Sequence, residues 1–283
     1  MHTVHTIAAA RQQLAVWRSA GQTIALVPTM GNLHAGHLSL VHEARRQADR
    51  IVVSIFVNPT QFGPGEDLDS YPRTLARDAD QLRAAGVDLL FAPEAGQMYP
   101  FASNLTWVDV HELPDHLCGR SRPQHFRGVT TVVSKLFHVT TPDVAVFGEK
   151  DFQQLTIVRR MTQELLLPIR IVGMPTVREA DGLALSSRNS FLQPGQRRQA
   201  PLLYQHLLRA RDAIAQGMRD YRALEQEMAA ALADAGFKVD YVSVASAETL
   251  APASDADRSL VVAAAAWLGS PRLIDNVTIQ ITG

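Results

Sequence analysis

The sequence predicts an α/β fold, a Rossmann-like, doubly wound parallel sheet followed by a smaller C-terminal α+β domain. Three observations carry this. Apolar runs of strand length alternate with helical patterns over the first two-thirds of the chain, and polar segments follow those runs where a strand hands over to a helix. After about residue 176 the texture changes to alanine-rich helical stretches and short closing strands.

The first strand is expected at Thr23-Ile-Ala-Leu-Val27, followed by Ile51-Val-Val-Ser-Ile-Phe-Val57, Asp88-Leu-Leu-Phe91, Asp143-Val-Ala-Val-Phe147 and Ile169-Arg-Ile-Val172. Helices are expected near 38–49, 72–85, 128–138 and 151–166, where apolar residues recur at three- and four-residue spacing. Residues 177–188 read as a loop, and helical stretches follow near 195–216 and 219–235, separated at Gly217. Strands at 239–245, 259–265 and 272–279 close the chain. The expected domains are 1–176 and 177–283.

Composition narrows the function classes. A chain of 283 residues, 46% hydrophobic, is long enough to bury a substantial core. Its 27 basic and 28 acidic residues give a formal charge of −1, with no basic block to serve nucleic acid or an anionic membrane. A small-molecule partner is expected. Cys118 is the single cysteine, so the chain holds neither a disulfide framework nor a cysteine-cluster zinc site, which suits a reducing, cytoplasmic setting. No secretory leader is expected, and no apolar run reaches the roughly 18 residues that a membrane span requires.

In open α/β sheets ligands collect at the carboxyl ends of the strands, and four polar segments lie there or beside them. The first is Pro28-Thr-Met-Gly-Asn-Leu-His-Ala-Gly-His37, with His34 and His37 at i, i+3 on a helix start. A helix N-terminus, a glycine and two imidazole donors suit a nucleotide triphosphate; the competing reading is that both histidines cap or pack the helix. His42, off that face, reads as an ordinary solvated or packed histidine. The second segment is Asn58-Pro-Thr-Gln-Phe62, whose Gln61 amide can orient hydroxyl and carboxylate groups, while Asn58 is better read as a turn former. The third, Phe147-Gly-Glu-Lys-Asp-Phe-Gln-Gln154, puts Lys150 at a helix start, where a cation is locally unfavourable unless it meets polyphosphate. The alternative is a solvated lysine paired with Glu149 or Asp151. The fourth is Thr176 to Ser190, where Ser186, Ser187 and Arg188 make a phosphate clamp or, alternatively, a linker with a helix cap.

Cys118, near His116, is expected to be a packed residue rather than a nucleophile. His111 and Glu112 lack partners at metal-ligand spacing. Asp78 and Asp80 read as residues of a solvated helix face, with approach to a metal as the alternative.

Together, and in this order, these segments resemble the pantoate–β-alanine ligase (pantothenate synthetase) family of the nucleotidyltransferase superfamily with the His-x-Gly-His signature. The likeness runs from Leu26 to Leu192 and includes Tyr71-Pro-Arg-Thr74 and Ser186-Ser-Arg-Asn189; Leu273-Ile-Asp-Asn-Val277 is similar to the family's closing strand. The resemblance implies condensation of pantoate with β-alanine through a pantoyl-adenylate, with release of AMP and pyrophosphate. It implies an ATP site made of Met30, Gly31, Asn32, Leu33, His34, Ala35, Gly36, His37, Gly148, Glu149, Lys150, Asp151, Val177, Leu185, Ser186, Ser187 and Arg188. His37, His34, Lys150 and Arg188 would be catalytic. Gln61 and Gln154 would hold pantoate along Pro28 and Met30, and Gln61 would also help place β-alanine. Magnesium, a homodimer formed through the larger domain and a lid role for the smaller one are implied as well. The tRNA-charging branch of the superfamily carries a Lys-Met-Ser-Lys-Ser loop where this chain has Ser186-Ser-Arg-Asn189, which argues against tRNA charging.

Overall fold

The computed structural model describes residues 1–281. By internal packing the chain forms two compact units. The larger comprises 1–110, 122–149 and 157–175; the smaller comprises 111–121, 150–156 and the chain from Thr176 onward. Two short excursions, 111–121 and 150–156, therefore pack with the C-terminal segment, whereas the sequence assigns them to the first domain.

In chain order the larger unit contains β1 (His2–Val4), α1 (Ile7–Ser19), β2 (Ile24–Thr29), α2 (Ala35–Gln47), β3 (Arg50–Ile55), α3 (Leu75–Ala84), β4 (Leu89–Phe91) and α4 (Ala95–Met98). After α5 (Leu117–Ser121), which belongs to the smaller unit, come α6 (His125–Thr140), β5 (Val144–Gly148), α7 (Phe152–Glu164), whose residues up to Thr156 count with the smaller unit, and β6 (Arg170–Met174). The six strands form one sheet in the order β1-β4-β3-β2-β5-β6, and every pairing is parallel. The order reverses between β2 and β5, the switch point where such sheets bind ligands.

Alternation along the strands explains the layers. Ala25, Val27, Ile51, Val53, Leu90, Val144 and Val146 join Leu40, Val41 and Ala44 of α2 and Leu82 of α3 in one core. The intervening Ile24, Leu26, Val52, Leu89, Phe91, Ala145 and Phe147 point to the other face and are equally buried. Burial on both faces is why these strands read as continuous apolar runs.

The smaller unit continues with α8 (Pro194–Gln199), α9 (Leu202–Ala215), α10 (Tyr221–Asp234), β7 (Lys238–Ser246), β8 (Ser259–Trp267) and β9 (Arg272–Gln280). The three strands form an antiparallel sheet in that order. Leu203, Leu207, Ala210 and Ile214 of α9, with Leu224, Met228 and Leu232 of α10, pack on Leu260, Val262, Ala264 and Ala266 of β8. The single helix expected over 195–216 is two helices, because Pro201 has no N–H to continue the ladder of α8 and instead stands at the start of α9. Among the described residues no helix is long and apolar enough to cross a membrane.

Candidate active site

The turn after β2 is built from backbone that few residues tolerate. Gly31 and Asn32 are both left-handed, with φ of +85° and +50°, so the chain reverses within two residues and enters α2 at once. The start of α2 is capped reciprocally: the Gly36 N–H donates to His34 Nδ1 (3.2 Å), and the His34 N–H donates to His37 Nδ1 (3.3 Å). The rings lie 4.1 Å apart at 40°. Accepting at Nδ1 fixes each neutral imidazole as the tautomer protonated at Nε2, so each ring has a defined Nε2–H donor. One nitrogen of each ring thus serves the start of the helix.

That turn is held from below by a residue whose sequence context misled. Asp78, in the first turn of α3, is 1% exposed rather than part of a solvated face. Its carboxylate accepts from the N–H groups of Asn32 (2.9 Å) and Leu33 (3.0 Å) and from Thr74 Oγ1 (3.1 Å). Asp80 does sit on the exposed face, paired with Arg83.

After β3, Asn58 caps a single 3-10 turn, Pro59–Gln61, and is buried. Its Oδ1 accepts from the Thr60 hydroxyl (3.0 Å) and Tyr99 Oη (2.8 Å), while its Nδ2 donates to Gln61 Oε1 (3.1 Å) and the Gly128 carbonyl (3.1 Å). Gln61 Nε2 in turn meets Met30 Sδ at 3.2 Å. Asn58 therefore forms a turn, as expected, and also orients the Gln61 amide. Lys135 lies 3.8 Å from the centre of the Tyr99 ring, and burial pushes its ammonium pKa down and the Tyr99 phenol pKa up.

Two residues beside Gln61 escaped the sequence reading. His125 Nδ1 donates to the Gln61 carbonyl (2.7 Å), and Arg122 reaches the same carbonyl (3.3 Å) while binding Glu66 through two nitrogens (2.7 and 2.5 Å). Burial raises the Glu66 carboxyl, but the Arg122 hydrogen bond and charge more than offset this and hold it below its ordinary range. The polar run Arg120-Ser-Arg-Pro-Gln-His125, broken by proline just before a helix, was the available signal.

In the smaller unit, Lys150 lies in the 3-10 turn Glu149–Asp151, and its carbonyl accepts from Asn276 Nδ2 at 3.0 Å. Gln154, half-buried, follows in the first turn of α7. Val177 and Leu185 are joined by a backbone hydrogen bond (3.0 Å) across a tight reversal at Gly182. Ser186 then caps the 3-10 turn Ser187–Phe191 by accepting from the Arg188 N–H (3.3 Å). Lys150, Ser186, Asn189, Tyr204 and Asp275 line a water-sized cavity, so the structure brings the lysine and the serine loop together within this unit. Asp275 is held bidentately by Arg178 (2.6 and 2.9 Å), whose guanidinium stacks 3.5 Å from the centre of Tyr204. Asp151 is exposed. Cys118 is buried against Tyr241 Oη (3.2 Å) and Arg272 (3.5 Å), the packed position expected of it.

A parallel sheet whose switch point carries a helix N-terminus with two tautomerically fixed histidines defines an α/β enzyme that handles nucleotide phosphates. The comparisons make this specific. The family described as pantoate-beta-alanine ligase matches residues 2–278. The chain is 59% identical over 281 residues to the pantothenate synthetase of Alcanivorax borkumensis, covering 99% of each. It is also similar to the crystal structure of pantothenate synthetase from Thermus thermophilus, with a TM-score of 0.90, 47% identity and coverage of 98% and 99%. A second similar structure, the pantoate-beta-alanine ligase of Francisella tularensis complexed with beta-gamma ATP and beta-alanine, has a TM-score of 0.81, 33% identity and coverage of 98% and 97%. The chain belongs to the pantoate–β-alanine ligase family and is a ligase.

Proposed function

We propose that this chain joins pantoate to β-alanine in two steps on ATP. A free carboxylate is a poor acyl donor, so the pantoate oxygen first attacks the α-phosphorus, giving pantoyl-adenylate and pyrophosphate. The neutral amine of β-alanine then attacks the acyl carbon, and AMP leaves with the former carboxylate oxygen. The observation that carries the first step is the capped histidine pair: His34 and His37 present fixed Nε2–H donors at a helix N-terminus, which stabilise charge growing on phosphate oxygens without reorganisation. Met30 to His37, with Gly148 and Glu149, contribute the ATP contacts of the larger unit. Lys150, Asp151, Val177, Leu185, Ser186, Ser187 and Arg188 contribute those of the smaller one, with Lys150 and Arg188 supplying cationic charge.

Gln61, aligned by Asn58 and Met30, holds pantoate with Gln154 along Pro28 and Met30, and helps place β-alanine. Magnesium enters as part of the MgATP substrate. Such ions keep waters and phosphate oxygens as ligands and need no protein cage, and no group of three His, Cys, Asp or Glu side chains fit to hold a metal occurs among the described residues. The reading extends to a cytoplasmic homodimer formed through the larger unit. In its support, Phe101 and Leu105 are 80% and 89% exposed in a segment that joins neither sheet.

Pantoate labelled with 18O in its carboxylate tests the intermediate. The label is expected in AMP at one oxygen per turnover. Label in inorganic phosphate, or ADP as product, would replace the adenylate with an acyl phosphate.

A further inference from the structure

We propose that Asp78 is a positioning residue for adenylation, holding the Met30–Leu33 turn so that the two histidines keep their aim. The proposal rests on the reading of His34 and His37 as donors to ATP. Asp78 is a carboxylate buried to 1% exposure, which is costly unless hydrogen bonds satisfy it. Three of its roughly four acceptor positions are used, and two of the donors are the backbone N–H groups immediately before His34. Those amides belong to a turn in which Asn32 has a left-handed φ of +50°, a conformation that asparagine adopts more readily than other non-glycine residues.

The contact is close throughout. A Cβ at Gly31 would meet Asp78 Oδ2 at 3.1 Å, so the turn rests directly on the carboxylate. From Leu33 the chain passes to His34, whose N–H sets the tautomer of His37. A continuous path of hydrogen bonds and rigid peptide thus runs from Asp78 to both imidazoles, although Asp78 lies 46 positions from Asn32 in sequence. Asparagine at this position would keep the shape but replace one acceptor oxygen with a donor facing a backbone N–H.

The test separates the two half-reactions of D78N. Adenylation is read as pantoate-dependent pyrophosphate release from MgATP in the first turnover, and amide formation as pantothenate made from supplied pantoyl-adenylate and β-alanine. Adenylation is expected to slow by about tenfold to a hundredfold, the loss that a displacement of about 1 Å produces, while amide formation stays close to wild type and the melting temperature falls by a few degrees, because one buried N–H loses its acceptor. Equal loss in both half-reactions, or unchanged adenylation, would overturn the proposal. If D78N does not fold, T74V carries the same test, because it removes only the hydroxyl that holds Oδ2. Slower adenylation with unchanged amide formation supports the proposal, and wild-type adenylation overturns it. Failure of the wild-type chain to release pyrophosphate would instead sink the functional reading, and the positioning role with it.

Discussion

Gly128 offers a sharp test of how Gln61 is held. It lies in the first turn of α6, and its carbonyl accepts from Asn58 Nδ2. A Cβ built there would stand 2.3 Å from the Thr60 carbonyl oxygen, 2.6 Å from its carbon and 2.8 Å from the Gln61 nitrogen, against 3.4 Å for ordinary contact. All three atoms are backbone, so no side chain can swing aside. G128A must push the Pro59–Gln61 turn away by about 1 Å, a misplacement of the scale that costs about a hundredfold in rate at an active site. Alanine improves the helix by at most about 1 kcal/mol, whereas overpacking costs about 1–3 kcal/mol, so a small net destabilisation accompanies the change. Steady-state kinetics should show kcat/KM for pantoate falling by about that hundredfold while KM for ATP changes little. A G128A enzyme with wild-type kcat/KM for pantoate would refute the reasoning, because either the turn yields freely or Gln61 does not engage pantoate.

Three further outcomes follow from the same geometry. H37A removes one fixed donor, a loss worth about a hundredfold to a thousandfold in kcat, while calorimetry should still detect ATP binding; loss of binding with intact turnover of bound substrate would contradict the assigned role. R178A strips its partner from Asp275, which is 4% exposed, and breaking a buried pair costs about 3–5 kcal/mol. Denaturant titration that shows less than about 1 kcal/mol lost would mean that water replaces the guanidinium. Glu225 is raised above its ordinary value of 4.5, chiefly by burial, with the Val244 N–H and the Arg222 charge opposing the shift. A carboxyl raised by folding contributes stability that is fully present below its unfolded value and lost as pH rises through the folded value. E225Q keeps the Val244 hydrogen bond, so its melting temperature should exceed that of wild type at neutral pH and converge with it below pH 4.5. A wild-type advantage at neutral pH would contradict this.

The parts of the fold that were legible are those whose signal is local. The runs at 24–27, 51–53 and 144–147 read as buried strands because both faces are covered, so no polar alternation interrupts them. By contrast, β1 spans only His2–Val4 and lies mostly exposed at the sheet edge, too short and polar to register. Helix α1 lies outside the expected helices, although Ala10, Leu14 and Trp17 recur at helical spacing and are buried. Among the candidate residues, the histidine pair, Gln61, Lys150 and the serine loop stood out because they lie in polar segments that follow expected strands, where open α/β sheets bind ligands. Asp78, Arg122 and His125 did not, because each takes part of its hydrogen bonding from backbone groups 45 to 64 positions away. Such pairings exist only once the chain is folded. Position 78 also illustrates the limit of helical patterning, since an aspartate four residues after Thr74, at the N-cap position, has the sequence context of a solvated first turn.

The most direct test of the account is product release with each substrate withheld in turn. Pyrophosphate and AMP are measured from MgATP with pantoate alone, then with β-alanine added, and with glycine or taurine as control amines. Pyrophosphate is expected in a single turnover with pantoate alone, and sustained AMP and pantothenate once β-alanine is supplied. The control amines should support little of either. Absence of pantoate-dependent pyrophosphate in every condition would contradict it.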